Sequence, residues 1–225
     1  MLWLISMIGL MALVLGPSFW VRYTLSRYGQ LREDLPGTGS ELAQHLLTRF
    51  DVHDVQVERT DEYGDHYDPN AQRVRLSPSV FDGRSLTAVA VAAHEVGHAI
   101  QYARQDKVTY FRRRFLPLAV WLQNMGAGVL VGWPLISLIL HIPYLVPLHL
   151  LIVFMTGMLA VLMHLAVLPE EWDASFYKAL PILLDGGYIN AADTMKVRRI
   201  LMACAFTYVA SALVRVFFFW RWFKR

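Results

Sequence analysis

Cysteine is almost absent: the 225-residue chain has one, Cys204. A single cysteine excludes an intramolecular disulfide, and the zinc patterns built on cysteine pairs are missing. Cys204 lies in an apolar run and reads as a small core residue facing helix or lipid. Charge is scarce too, at 17% of residues against 56% hydrophobic, and the mean hydropathy is +0.37. That balance is foreign to an ordinary soluble domain and predicts a membrane protein. The net charge of +3 and pI near 9.1 come from Arg and Lys bordering apolar stretches. They indicate membrane topology and argue against nucleic acid as a partner. Internal repeats and low-complexity segments are also lacking.

What is present divides the chain into five parts. Residues 1–21 are apolar and uncharged, long enough to span a bilayer, and followed at once by Arg22, Arg27 and Arg32. This predicts a retained N-terminal transmembrane anchor with its far end in the cytoplasm, because no positive segment precedes it and no small-residue cleavage site follows. Residues 22–114 form a polar cytoplasmic part. Within it, Ser40 caps a short helix from Glu41 to Phe50, and Val52–Arg59 and Ala71–Leu76 read as strands joined across the polar stretch Asp61–Asn70. Residues 115–168 read as a transmembrane hairpin turning at His141-Ile142-Pro143. Residues 169–199 return to the cytoplasm, and 200–225 form a transmembrane or interfacial helix. The predicted fold is a mainly α membrane protein of about four apolar helices, three or four of them spanning. A small cytoplasmic α+β zincin-like part places a β-hairpin before its main helix.

That helix, Ser85 to about Gln105, carries His94-Glu95-Val96-Gly97-His98. Residues four apart on a helix share a face, so the two imidazoles can close on one metal ion. Glu95 is offset by one position and can reach a water bound to that ion, the H-E-x-x-H arrangement of zinc hydrolases. Ser85 is a plausible N-cap, and Gly97 leaves room for another backbone or a substrate. A helix carrying two histidines and a glutamate by chance is the bland alternative.

A catalytic zinc needs a third protein ligand and an open position. Leu168-Pro169-Glu170-Glu171-Trp172-Asp173-Ala174-Ser175 is a dense acidic cluster, and two predicted crossings bring it back to the side of His94 and His98. Glu171 and Asp173 are its best placed candidates. Acids in the first turn of a helix begun by Pro169 would also satisfy the helix dipole without any metal.

Several blocks carry a family likeness. Asp65-His66-Tyr67-Asp68-Pro69, Val74-Arg75-Leu76-Ser77-Pro78, Ala92-Ala93-His94-Glu95-Val96-Gly97-His98-Ala99-Ile100-Gln101, Pro169 to Ser175 and Ala205-Phe206-Thr207-Tyr208 closely resemble the YugP-type neutral zinc metallopeptidases of bacterial membranes. The likeness runs from about Ser40 to Leu213, and the plan is distantly like that of HtpX-type peptidases. The resemblance implies Zn2+ on His94 and His98, Glu95 as general base and Glu171 as third ligand. Asp173 would orient a histidine from behind. An oxyanion donor is also required, and His66, Tyr67 or Tyr177 could serve. The implied setting is the inner membrane of a bacterium, multi-pass, with the site facing the cytoplasm and peptides or membrane proteins as substrates.

Two rivals remain. Site-2-type intramembrane proteases pair H-E-x-x-H with a distant Leu-Asp-Gly, and Leu184-Asp185-Gly186 matches that piece, making Asp185 the alternative third ligand. A non-catalytic metal-binding membrane scaffold would use the same ligands but has no need of Glu95.

Overall fold

The computed structural model describes residues 2–140 and 146–217. The expected turn at His141-Ile142-Pro143 and the last eight residues of the 200–225 segment lie outside the described residues. Eight α-helices are described: α1 (Leu2–Arg27), α2 (Gly39–Arg49), α3 (Pro78–Phe81), α4 (Leu86–Ala103), α5 (Tyr110–Leu140), α6 (Val146–Trp172), α7 (Leu180–Asp185) and α8 (Thr194–Phe217). A π-helical segment, Asp173–Ala179, continues α6 directly. The strands are β1 (Gln56–Arg59), β2 (His66–Asp68) and β3 (Arg73–Leu76).

The chain is assembled around α4. Every residue from Leu86 to Gln101 is buried. A helix apolar or small on all sides has no solvent face to offer, so it must be enclosed by neighbours. Here they are α2, α3, the π segment, α7, α8 and the sheet. Ser85 caps it, accepting from Ala88 N at 3.0 Å. At the other end Gln105 takes a left-handed φ of 55°, Gln105 N donates to Tyr102 O and Asp106 N donates to Gln101 O. That pair of bonds closes the helix as a Schellman motif without a glycine. For α2 the cap is Thr38 rather than Ser40. Thr38 and Glu41 exchange side-chain and backbone bonds in a capping box, which starts the helix at Gly39.

The sheet corrects the expected hairpin. Its order is β1-β3-β2, so the two strands anticipated from sequence do pair, but in parallel, Gln56 to Arg73 through Arg59 to Leu76. The antiparallel partner of β3 is β2, hidden in the stretch taken for a polar turn, with Tyr67 opposite Val74. β2 has only three residues and only Tyr67 is buried among them. So short a segment shows no alternation that a sequence pattern could detect.

The membrane assignment is also corrected. Among the described residues no helix is long and apolar enough to cross a membrane. The expected set of three or four spanning helices, and with it a multi-pass inner-membrane location with a cytoplasm-facing site, is therefore not upheld. The helices are not apolar throughout: Pro17 and Gln123-Asn124 lie within α1 and α5, Arg112 to Arg114 near the start of α5, and Pro169-Glu170-Glu171 near the end of α6. Part of their apolar surface is also spent on helix–helix contact. Val21 and Leu25 of α1 pack with Ala203 and Ala210 of α8. Counting apolar residues along the sequence cannot distinguish surface covered by another helix from surface facing lipid.

Pro169 does not begin a helix either. It lies within α6, and the structural change comes at Asp173, where the hydrogen-bond pattern widens to π.

Candidate metal centre and active site

α4 supplies the first three residues. His94 and His98 stand one turn apart with ring centroids 4.7 Å from each other, both buried. The fourth is Glu171, at the end of α6, where the π segment begins to turn against α4. One of its carboxylate oxygens, Oε2, lies 3.2 Å from His98 Nε2 and 3.4 Å from His94 Nε2. One donor atom from each of the three residues falls within 4.8 Å of the others. Gly97 makes this approach possible. A Cβ there would stand 2.9 Å from the Ala174 carbonyl oxygen, so only glycine lets the π segment come this close to α4.

Each histidine is fixed from behind by a neutral group. Ser175 Oγ donates to Leu201 O at 3.1 Å and meets His94 Nδ1 at 3.0 Å, where it must accept. Gln101 Oε1 accepts from His98 Nδ1 at 2.9 Å, because its amide nitrogen is engaged with Glu170 O (3.0 Å) and Asp173 Oδ2 (2.8 Å). Both rings therefore carry hydrogen on Nδ1 and turn Nε2 toward Glu171. Asp173 acts at one remove, holding Gln101 rather than a histidine. Lys178 in turn ties Asp173 to Asp106, at 3.0 and 2.7 Å.

Three carboxylates crowd this interior: Glu95 (7% exposed), Glu170 (1%) and Glu171 (0%). One guanidinium answers them. Arg112 Nη1 reaches Glu171 Oε1 at 3.2 Å and Glu170 Oε1 at 3.4 Å, while Glu170 Oε2 has no hydrogen-bond partner. Burial pushes the Glu95 carboxyl up to about 7. The adjacent His94 opposes this, the Glu171 and Asp65 carboxylates add to it, and a bond from the Tyr67 backbone N–H relieves it slightly. Burial acts on Glu171 in the same sense, yet His98 and His94 outweigh it and hold that carboxyl well below the ordinary range. Burial lowers the proton affinity of His98, but the charge and hydrogen bond of Glu171 prevail and raise it. Excess negative charge with an orphaned carboxylate oxygen calls for a cation. Two imidazoles and one carboxylate form a donor set suited to catalytic zinc, so the residues fit the metal.

A cavity of about 610 Å³ opens on this cluster. His66 and Tyr67 line it beside Glu95; Tyr177 does not, being 71% exposed on the π segment. Both His66 nitrogens are occupied, Nδ1 by Gly64 O at 2.6 Å and Nε2 by Arg75 Nη1 at 3.5 Å. Burial raises the pKa of Tyr67 and keeps its hydroxyl protonated. Asp185 is exposed at the end of α7 and is absent from the donor group around the two histidines.

Four residues of the centre had no assigned role in the sequence reading. Gln101 lies three positions after His98 and Ser175 four after Glu171, helical spacings that would have flagged both. Arg112 and Glu170 gave no such signal. Arg112 is one of three consecutive arginines, and Glu170 one of two consecutive glutamates.

The sequence matches, over residues 3–225, the family described as "Putative neutral zinc metallopeptidase". It is 35% identical over 208 residues, 90% of this chain and 88% of the relative, to "Putative membrane protease YugP" of Bacillus subtilis (strain 168). No solved structure matches.

Proposed function

The chain belongs to the neutral zinc metallopeptidase family, and from that premise we propose that it hydrolyses peptide bonds with His94, His98 and Glu171 as zinc ligands and Glu95 as general base. The observation that carries this reading is the single oxygen, Glu171 Oε2, within 3.4 Å of both Nε2 atoms. Held by His94, His98 and Glu171, zinc would supply Lewis-acid chemistry, polarising a carbonyl and acidifying a water. Glu95 accepts the proton of that water and passes it to the leaving amine.

Of the three candidate oxyanion donors, Tyr67 fits best. It borders the cavity with a protonated hydroxyl, His66 is engaged on both nitrogens, and Tyr177 is outside the cavity. β2 is an outer strand of the sheet, and its free edge can hold an extended peptide by backbone hydrogen bonds.

Zinc stoichiometry of the purified protein tests the ligand set. Glu171→Ala should lose the metal and Asp185→Ala should keep it. The reverse result would make Asp185 the third ligand, and retention in both would overturn the site. A purely structural centre has no use for Glu95, so zinc-dependent turnover that survives Glu95→Gln would overturn the base assignment.

A further inference from the structure

The cavity has two chemically distinct ends. The first holds Glu95, His94, His98 and Arg112. The second is walled by α1 and α8, with Leu15, Phe19 and Leu25 on one side and Thr207 and Ala210 on the other. Leu15, Ser18, Phe19, Arg22 and Leu25 recur at the spacing of one helix face, so α1 presents a continuous stripe to this space. Phe19 lines the cavity and is nevertheless 69% exposed. A large aromatic left open beside a reactive centre marks a surface that an apolar partner covers.

Resting on the peptidase reading, we infer that this apolar end is a specificity subsite for a bulky aliphatic or aromatic side chain next to the scissile bond. Position and size admit a side chain there, and the apolar walls with the engaged Arg22 favour an apolar one. The subsite is continuous with the cavity that contains Glu95, so a residue flanking the bond can reach it while the backbone stays at the reactive end. The whole cavity, about 610 Å³, lies in the range of preformed ligand sites. The one charged group on the α1 face of the cavity, Arg22, turns its guanidinium over the Tyr63 ring at 5.4 Å. A charged side chain entering past it would have to leave water for apolar walls. Arg22 also repels lysine and arginine, so basic residues are disfavoured twice.

The test uses the full-length zinc-loaded protein and a series of otherwise identical fluorogenic peptides with Phe, Leu, Gly, Asp or Lys beside the cleaved bond. Phe and Leu peptides should exceed the Gly and Asp peptides at least tenfold in kcat/KM, with Lys the poorest. Phe19→Ser, at a largely exposed position that threatens the fold little, should collapse the Phe-to-Gly ratio several-fold while zinc content stays the same. Thr207→Trp, which fills the space without making it polar, should cut the Phe peptide more than the Leu peptide. Zinc-dependent cleavage that ignores the varied side chain, prefers Asp, or falls equally for all peptides in Phe19→Ser would overturn the subsite and leave the peptidase reading intact. Absence of any zinc-dependent cleavage by the wild type would overturn both.

Discussion

Two of the regions where carboxylates meet arginines among the described residues show opposite consequences. At the sheet, Arg59 of β1 pairs with Asp82 at the end of α3, and Glu58, on the other face of β1, is shared by Arg73 and Arg75. Arg59 and Asp82 are both more than half exposed, so water and salt screen the pair and its strength is small. Between α4, α5 and the π segment, the buried Glu170 and Glu171 share Arg112, whose side chain is only 16% exposed. There both carboxylates have lost their hydration, and the unmatched one must be answered by a ligand or a proton. Glutamate and arginine therefore decorate a surface in one place and border a candidate metal centre in the other. Solvent exposure makes the difference.

The largest expected effect tests what the buried region is for. Glu95→Gln keeps the shape and removes the proton acceptor, and should lower kcat by about 10²–10⁴-fold with zinc content unchanged. Arg112→Ala comes next. It releases Glu171 Oε1 and leaves Glu170 and Glu171 to repel each other, so zinc affinity should fall about 10–100-fold in a chelator competition. Arg112→Lys should recover part of that loss, because an ammonium restores the charge without the planar fork. If zinc affinity is unchanged in Arg112→Ala, the two regions are alike after all. Gly97→Ala probes the packing beneath the charges. The new methyl group would meet the Ala174 carbonyl oxygen at 2.9 Å, and stability should drop by about 1–3 kcal/mol in denaturant titration.

The contrast between the regions also explains what the sequence revealed. His94, Glu95 and His98 were legible because one helix carries them at fixed spacing, and Ser85 because a cap is a local device. Gly97 was legible as a point of close approach, though not as one for Ala174. The acidic cluster was visible, but the widening of α6 into a π turn was not, and that turn is what sets Glu171 beside the histidines and sends Asp173 to Gln101. Arg112 was hidden among Arg112 to Arg114, since nothing local says which of three arginines points inward. The fold was least legible where long-range contacts decide it. β1 pairs with β3 in parallel across an intervening strand too short to show a pattern, and apolar helices such as α1 bury part of their surface on α8. Composition alone turned that surface into membrane spans.

Asp193 lies between the two extremes, and pH separates its contribution from the others. Its carboxyl is buried, while its partners Arg32 (2.9 Å) and Lys196 (2.6 Å) are partly exposed. Hydrogen bonds from Arg32 and then Lys196 lower its pKa below the ordinary 3.8. A depressed carboxyl favours the folded state above its unfolded pKa, and that stability disappears as pH falls through the lower, folded value. Asp193→Asn should therefore cost about 1–2 kcal/mol at neutral pH. The difference from wild type should shrink as pH falls below 4. Equal melting curves at pH 7 would assign Asp193 to the screened class.

The smallest effect belongs to the sheet. Arg59→Ala removes one partner of an exposed pair, and its guanidinium also rests over the Phe81 ring at 5.3 Å. Both contacts are open to water, so Tm should move by less than roughly 2 °C, and the shift should vanish in high salt. The value of this variant lies in its pairing with Arg112→Ala. Each removes one arginine from one or two carboxylates, and the two sites differ sharply in exposure. A large loss of stability at Arg59, or a salt-sensitive one at Arg112, would mean that burial is not what divides the structural charges of this protein from its functional ones.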